Sequence, residues 1–264
     1  MATQQRAIDI LRELGSRPAV PFHEEGPAGY IQRVLSEMGL DARRDAYGNV
    51  VAHYRRPEGG RHDEEPPIAF VAHMDHPGFE TVDDPRGRTL ARALGGVPVA
   101  SLKKPTPVLV LEPDGGRLRG RTVPVADGQP AGKSTRLVEV ELESGVAPAP
   151  PAPIVFDLPD FVLEGDTVRM RALDDLAGCA GILAALERLV SDGVEADVYG
   201  VFTRAEEGGL FGARLLAEAA TLPRNTLVVS VESSPVIPGV AQGDGPVIRT
   251  GDAAYTFDAD AEQV

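Results

Sequence analysis

The chain has 264 residues, of which 42% are hydrophobic and 25% charged, with a formal net charge of −14 and a single cysteine, Cys179. The acidic balance argues against nucleic acid or an anionic membrane as a main partner, and one cysteine excludes an intrachain disulfide and a thiolate metal cluster. The amino terminus is charged throughout, and no apolar run approaches the roughly 20 residues of a membrane span. We therefore expect a cytoplasmic protein whose metal ligands, if any, are His, Asp or Glu.

Helix-like and strand-like apolar spacings alternate over the first 79 residues, which predicts an α/β organisation. Predicted helices cover 7–14 and 27–38, and predicted strands cover 49–54 and 68–72. His23 lies in the loop between the two helices. It is a candidate for substrate or metal binding, although such a residue more often caps or decorates a turn.

His73 and Asp75 follow the apolar run IAFVA (68–72), at the carboxyl end of a predicted buried strand. A separation of two places both side chains on the same side of an extended chain. The carboxylate can then accept one ring N–H and leave the other nitrogen for a metal. An ordinary histidine at a strand end explains the same pattern equally well.

The segment from 80 to 165 predicts a small all-β insert, because short β-like runs alternate there with Gly and Pro turns. We interpret it as a dimerisation or assembly domain. The catalytic α/β domain is then discontinuous, over 1–79 and 166–264. For that domain we expect a mixed, mostly parallel sheet with helices on both faces.

Three further strand or helix junctions after 166 carry acids. In an open α/β sheet, functional groups collect at the carboxyl ends of the strands. Helix capping explains one acid of an Asp pair, and a solvated turn explains an isolated Glu pair. Together with His73, however, the repeated pattern is hard to ascribe to solvation. The acids are Asp174, Asp175, Glu206, Glu207 and Glu232.

Imidazole and carboxylate ligands suit Zn, Mn or Co, and a shared carboxylate can bridge two such ions. Two bridged ions activate a water and polarise a carbonyl, while a nearby free carboxylate acts as general base. The reaction class that this set of residues indicates is amide hydrolysis.

The motifs HMDHPGF (73–79), ALDDLAG (172–178), TRAEEGGLFGA (203–213) and SVESS (230–234) resemble, in this order, those of the M42 aminopeptidases of glutamyl or deblocking type. These belong to a clan shared with the M20 and M28 metallopeptidases. The resemblance covers nearly the whole chain and implies a zinc-peptidase-like fold. It also implies hydrolysis of N-terminal residues of peptides with two divalent ions, zinc or else cobalt or manganese. The homo-oligomer would consist of dimers that build a dodecamer.

The resemblance implies a role for each site residue. His73 and Glu232 would bind the first ion, Asp75 would orient His73, Asp174 would bridge the two ions, Glu207 would bind the second ion, and Glu206 would be the general base.

Two departures from the family pattern leave alternatives open. Glu232 stands where the family more usually has Asp, and Glu at this position is familiar in an M20-like deacylase or carboxypeptidase. The family's last ligand is a histidine near the carboxyl terminus, whereas all five histidines here lie at or before position 76. We expect a fragment incomplete at its carboxyl terminus. A lost ligand, substitution by His76, or a non-catalytic homologue with a defective metal site are the alternatives.

Overall fold

The computed structural model describes residues 2–56, 65–125, 136–236, 238–251 and 256–260. The chain divides into one unit of Met1–Glu232 and a second of Ser233–Val264. In the second unit, Gly251 and Thr256 form an isolated antiparallel β-bridge. Every residue to which the sequence assigns a site role belongs to the first unit.

All of the α-helices and strands of the described residues lie in the first unit. The helices are α1 (Ala2–Gly15), α2 (Glu25–Glu37), α3 (Leu173–Asp192) and α4 (Phe211–Glu218). The strands are β1 (Ala42–Arg44), β2 (Val50–Arg56), β3 (Ile68–His73), β4 (Gly78–Val82), β5 (Leu90–Leu94), β6 (Thr106–Leu111), β7 (Arg117–Pro124), β8 (Leu137–Leu142), β9 (Pro153–Phe156), β10 (Val162–Glu164), β11 (Thr167–Arg169), β12 (Ala196–Thr203) and β13 (Leu227–Ser230). Of the described helices, none combines the length and apolarity that crossing a membrane requires.

Five strands form one sheet in the order β1-β2-β12-β3-β13. The pairs β1–β2 and β2–β12 are antiparallel, whereas β12–β3 and β3–β13 are parallel. We had expected a mostly parallel sheet. Two of the four strand pairs are instead antiparallel. The short turn at 45–49 is the reason for the first pair, because a connection of that length can only join antiparallel neighbours.

Helices cover both faces of this sheet. Alternate residues along each strand point to opposite faces, so Phe70 and Ala72 contact one core and Ala69 and Val71 the other. Helices α1, α2 and α3 pack on the first face, and Leu216 of α4 packs on the second. Helix α3 packs against β3, and the start of the helix lies close to the end of that strand.

A closed barrel of strands β4-β5-β8-β7-β6-β9 occupies the middle of the chain, with its own apolar core around Phe79, Val108 and Ile154. Its strands run from Gly78 to Phe156. They occupy most of the segment 80–165, for which the sequence predicts an all-β insert. Strands β10 and β11 pair only with each other in the described structure. The domain boundaries proposed above stay a prediction.

Candidate functional site

Three parallel strands end at the same edge of the sheet, with β3 between β12 and β13. The register pairs Thr203 with His73, so that the loop after β12 begins beside the end of β3. On the other side of β3, Ser230 pairs with Val71. Residues that follow β12 and β13 therefore flank His73 from both sides.

His73 is the centre of the site, and its side chain is only 3% exposed. Its Nδ1 lies 2.9 Å from the backbone oxygen of Asp75, and its Nε2 lies 3.1 Å from Asp174 Oδ1. The same Nε2 is 3.7 Å from Glu232 Oε1 and 3.8 Å from Glu206 Oε2. The structure thus brings three of the predicted acids to one ring nitrogen.

The negative charge around the His73 ring outweighs the effect of burial on its pKa. Burial alone lowers the pKa of His73, but the hydrogen bonds to Asp174 and Glu232 and the charge of Asp75 raise it to about 11. A proton on the ring is then the cation that balances the surrounding carboxylates. A divalent cation would satisfy the same surplus of negative charge.

Asp75 is placed differently from the sequence expectation. Its carboxylate lies 3.7 Å from His73 Nδ1, whose hydrogen bond goes to the nearer backbone carbonyl of Asp75 itself. The carboxylate instead accepts the backbone N–H groups of Glu206 at 2.9 Å and Glu207 at 3.1 Å. Burial raises the pKa of Asp75 to about 7, although His73 opposes the rise. In this geometry the Asp75 carboxylate orients the acidic loop more directly than it orients the His73 ring.

The two neighbouring aspartates at the start of α3 do different work. Asp174 faces His73, whereas buried Asp175 accepts the His73 backbone N–H at 3.3 Å and the Gly178 N–H at 3.2 Å. The second contact caps the regular part of the helix, and the peptide bond between the aspartates is cis. Burial, reinforced by the charge of Glu232, raises the pKa of Asp175 to about 8.

Asp175, which the sequence did not single out as a ligand, belongs to a group of three potential metal ligands among the described residues. His73, Asp175 and Glu232 each offer one ligand atom, and these atoms lie within 4.8 Å of one another. Asp174 remains hydrogen-bonded to the same histidine. Both aspartates are therefore within reach of a cation near His73.

Glu207 does not share the surroundings of Glu206. Its Oε2 accepts the backbone N–H of Gly96 at 2.9 Å, in the barrel loop that follows β5. A Cβ atom on Gly95 would lie 2.8 Å from the Glu207 Cβ, and Gly95 has a φ of +74°. Glycine at this position therefore permits both the backbone conformation and the close approach. The role of Glu207 as a ligand stays a prediction.

His76 and His23, the other histidines considered from the sequence, are engaged elsewhere. The ring of His76 is buried, accepts the Ala19 N–H at Nε2 over 3.3 Å, and donates from Nδ1 to the Pro77 carbonyl over 3.0 Å. His23 Nε2 lies 2.9 Å from Glu80 Oε2 of the barrel. Both ring nitrogens of His76 are used by the backbone, which argues against its substituting for a missing ligand.

Two buried polar residues that support the site escaped the sequence analysis. Glu24 accepts the Ala205 N–H at 2.9 Å, and Asn49 both accepts the Arg204 N–H at 3.1 Å and donates to the Gly212 carbonyl at 3.0 Å. Glu24 lies 181 positions before Ala205. Local spacing carries no signal for such a contact, since only folding brings the two segments together.

A family model described as "M42 glutamyl aminopeptidase" matches residues 139–263. Among curated proteins, a predicted aminopeptidase of Acetivibrio thermocellus is 38% identical over 100 residues, covering 35% of this chain and 29% of its own length. The predicted aminopeptidase SgcX of Escherichia coli (strain K12) is 24% identical over 243 residues, covering 86% and 62%. The chain thus spans less than two thirds of the length of either relative.

Solved structures match over a larger share of both chains. The dodecamer PhTET1-12s is 26% identical, with a TM-score of 0.76 over 97% of this chain and 78% of its own. The Pyrococcus horikoshii TET1 peptidase is 25% identical, with a TM-score of 0.75 over 97% and 79%. The aminopeptidase APDkam598 of Desulfurococcus kamchatkensis is 25% identical, with a TM-score of 0.67 over 92% and 68%. Over residues 139–263 the chain is thus similar to the M42 glutamyl aminopeptidases, and its fold is similar to that of the TET peptidases.

Proposed function

We propose that this chain is a metal-dependent aminopeptidase that hydrolyses the N-terminal residues of peptides. The observation that carries the proposal is the group of carboxylates from Asp174, Glu206 and Glu232 within 3.8 Å of His73 Nε2. The names of the matched family and of the TET relatives support the same activity.

The donor set fits a divalent cation. Because the His73 Nδ1–H donates to the Asp75 carbonyl, Nε2 is the nitrogen that a metal would use. One imidazole with several carboxylates suits Zn, Co or Mn. When bound, such a cation supplies Lewis-acid chemistry that polarises the scissile carbonyl and lowers the pKa of water.

The finer part of the proposal concerns two ions. We assign His73 and Glu232 to the first, Glu207 to the second, and Asp174 to both. Asp175, which forms a group of potential ligands with His73 and Glu232, is an additional candidate for the first ion. Glu207 has one oxygen on the Gly96 N–H, and a carboxylate held in this way still offers its other oxygen to a cation.

Glu206 is assigned the proton transfer. Its side chain is 31% exposed, so it is open to solvent and substrate while one oxygen stays 3.8 Å from His73 Nε2. Burial raises the pKa of Glu206 above its ordinary value, although His73 opposes the rise. A raised pKa brings the carboxylate closer to the operating pH of a general base. It would take a proton from the attacking water and pass it to the leaving amine.

Assembly is a separate element of the proposal. The PhTET1-12s structure is described as a dodecamer, and the related TET1 peptidase as assembling into a tetrahedron or an octahedral shell. We propose that this chain also forms a homo-oligomer, with the β-barrel as the assembly domain. Analytical ultracentrifugation tests this, and a purely monomeric chain at micromolar concentration would contradict it.

The activity is tested on the chain loaded with zinc, cobalt or manganese, with aminoacyl anilides and N-acyl amino acids as the two substrate classes. We expect hydrolysis of the aminoacyl anilides. Glu206→Gln should lower kcat by roughly 100-fold or more while metal content stays unchanged, because the amide cannot take a proton. Glu207→Gln is the control, in which metal content should fall.

Each other outcome has a distinct meaning. Full activity in Glu206→Gln would remove Glu206 as the base. Hydrolysis of only the N-acyl amino acids would favour an M20-like deacylase, the alternative that Glu232 raises. Neither bound metal nor hydrolysis of either substrate would favour a non-catalytic homologue.

A further inference from the structure

Glu24 is a buried carboxylate, 2% exposed, at the start of α2. It makes no side-chain hydrogen bond that caps its own helix. Instead Oε1 accepts the N–H groups of Phe22 at 2.8 Å and Ala205 at 2.9 Å. Its Oε2 accepts from Arg204, at 2.9 Å from Nε and 2.8 Å from Nη2. The carboxylate thus joins the amino-terminal loop to the turn that precedes the acidic pair.

That turn has a backbone conformation that needs outside support. Ala205 is fully buried and has a φ of +50°, in the left-handed region that residues with a side chain rarely adopt. Its N–H points to Glu24, and the next two N–H groups, of Glu206 and Glu207, point to Asp75. Two buried carboxylates from distant parts of the chain therefore hold three consecutive amides.

We propose, on the basis of the aminopeptidase activity proposed above, that Glu24 is a positioning residue for the reaction. It holds the Ala205 turn in the shape that directs the Glu206 carboxylate toward His73. The hydrogen bonds of Glu24 go to Phe22, Ala205 and Arg204, so that it acts on the reaction through the turn. Because a misplacement of about 1 Å can cost on the order of 100-fold in rate, losing this contact should affect turnover far more than binding.

The charge and the hydrogen-bond geometry of Glu24 can be separated. Glu24→Ala removes the acceptor for Ala205 and leaves the Arg204 guanidinium without its nearest carboxylate, while the Tyr47 carbonyl still accepts from Nη1. Glu24→Gln keeps an acceptor oxygen but presents an amide NH₂ to that guanidinium. The double variant Glu24→Gln with Arg204→Met keeps the acceptor and also removes the unmatched charge.

The experiment measures kcat, KM and metal content on the metal-loaded chain, at a temperature at which every variant is folded. Glu24→Ala should lower kcat by about 100-fold, with KM within about threefold and metal content unchanged. The double variant should recover to within about tenfold of the original chain. The control is Glu187→Gln, which breaks the Arg6 contact between α1 and α3 and should leave kcat unchanged within about twofold. If Glu24→Ala does not fold, Glu24→Gln against the double variant makes the same comparison.

Amide hydrogen exchange at Ala205 and Glu206 gives a readout independent of activity. Exchange should be faster in Glu24→Ala and restored in the double variant. A kcat of Glu24→Ala within about threefold of the original chain, or a double variant no better than Glu24→Gln, overturns the positioning role. If the original chain hydrolyses nothing, the aminopeptidase proposal fails and the exchange data decide alone. Unchanged exchange in Glu24→Ala then refutes the idea that Glu24 holds the Ala205 turn, and faster exchange upholds it.

Discussion

Acidification should destabilise the fold through His76. The ring is buried, its Nδ1–H donates to the Pro77 carbonyl, and its Nε2 accepts the Ala19 N–H. A second proton on Nε2 would face this N–H donor and would remove the acceptor that the N–H uses. Burial is the main reason that the pKa of His76 falls from 6.5 to about 4, with Arg171 and His73 adding to the effect.

The size and sign of the effect follow from linkage. Between pH 6.5 and 4 the unfolded chain binds the proton and the folded chain does not, so stability falls as the pH is lowered. The contribution is fully present above pH 6.5. The free energy of unfolding falls by about 3 kcal/mol in total once the pH is below 4. About 2 kcal/mol of this is already lost at pH 5.

Urea unfolding of the original chain and of His76→Gln, each at pH 7 and pH 5, measures this contribution. His76→Gln should be the less stable chain at pH 7, because the glutamine does not fill the buried space of the ring. The difference in free energy of unfolding between the two chains should narrow by about 2 kcal/mol at pH 5. The raised pKa values of Asp75 and Asp175 act in the opposite direction, but they are common to both chains and cancel in the difference. A gap that is the same at both pH values within about 0.5 kcal/mol would refute the reasoning.

Three further predictions concern the site and its support. Gly178→Ala should weaken zinc binding by about tenfold or more in calorimetry, because its Cβ would lie 2.5 Å from Asp175 Oδ1. Gly181→Ala on the same helix meets nothing within 4 Å, and it should keep zinc affinity and gain about 0.5–1 kcal/mol in stability. Zinc at about 100 times its Kd should raise the free energy of unfolding by about 2.7 kcal/mol, and His73→Ala should abolish that rise; an equal rise in the variant would contradict the site. Arg171→Met should lower the free energy of unfolding by about 3 kcal/mol, since this buried side chain donates to two backbone carbonyls and one carboxylate; a loss under about 1 kcal/mol would contradict it.

The sequence by itself determined which segments end at the site. Buried strands appear as apolar runs, and an acid or histidine directly after such a run lies at the strand end by simple continuity. His73, Glu206 and Glu232 could be found in this way, and the alternation of β-like runs with Gly and Pro indicated the β-rich middle of the chain. The motif order also indicated the resemblance to the M42 family, whose model matches residues 139–263.

Only the tertiary structure decided how those side chains are used. Asp75 binds the amides of a loop 131 and 132 positions away, and Glu24 reaches Ala205 over 181 positions. Glu207 turns to a barrel loop, while Asp175 joins the cluster around His73. Periodicity reports which face of a strand or helix is buried, but it contains no information on which distant segment packs there. The partners of a buried carboxylate are set by that packing, so the same residues permit several sites until the fold selects one.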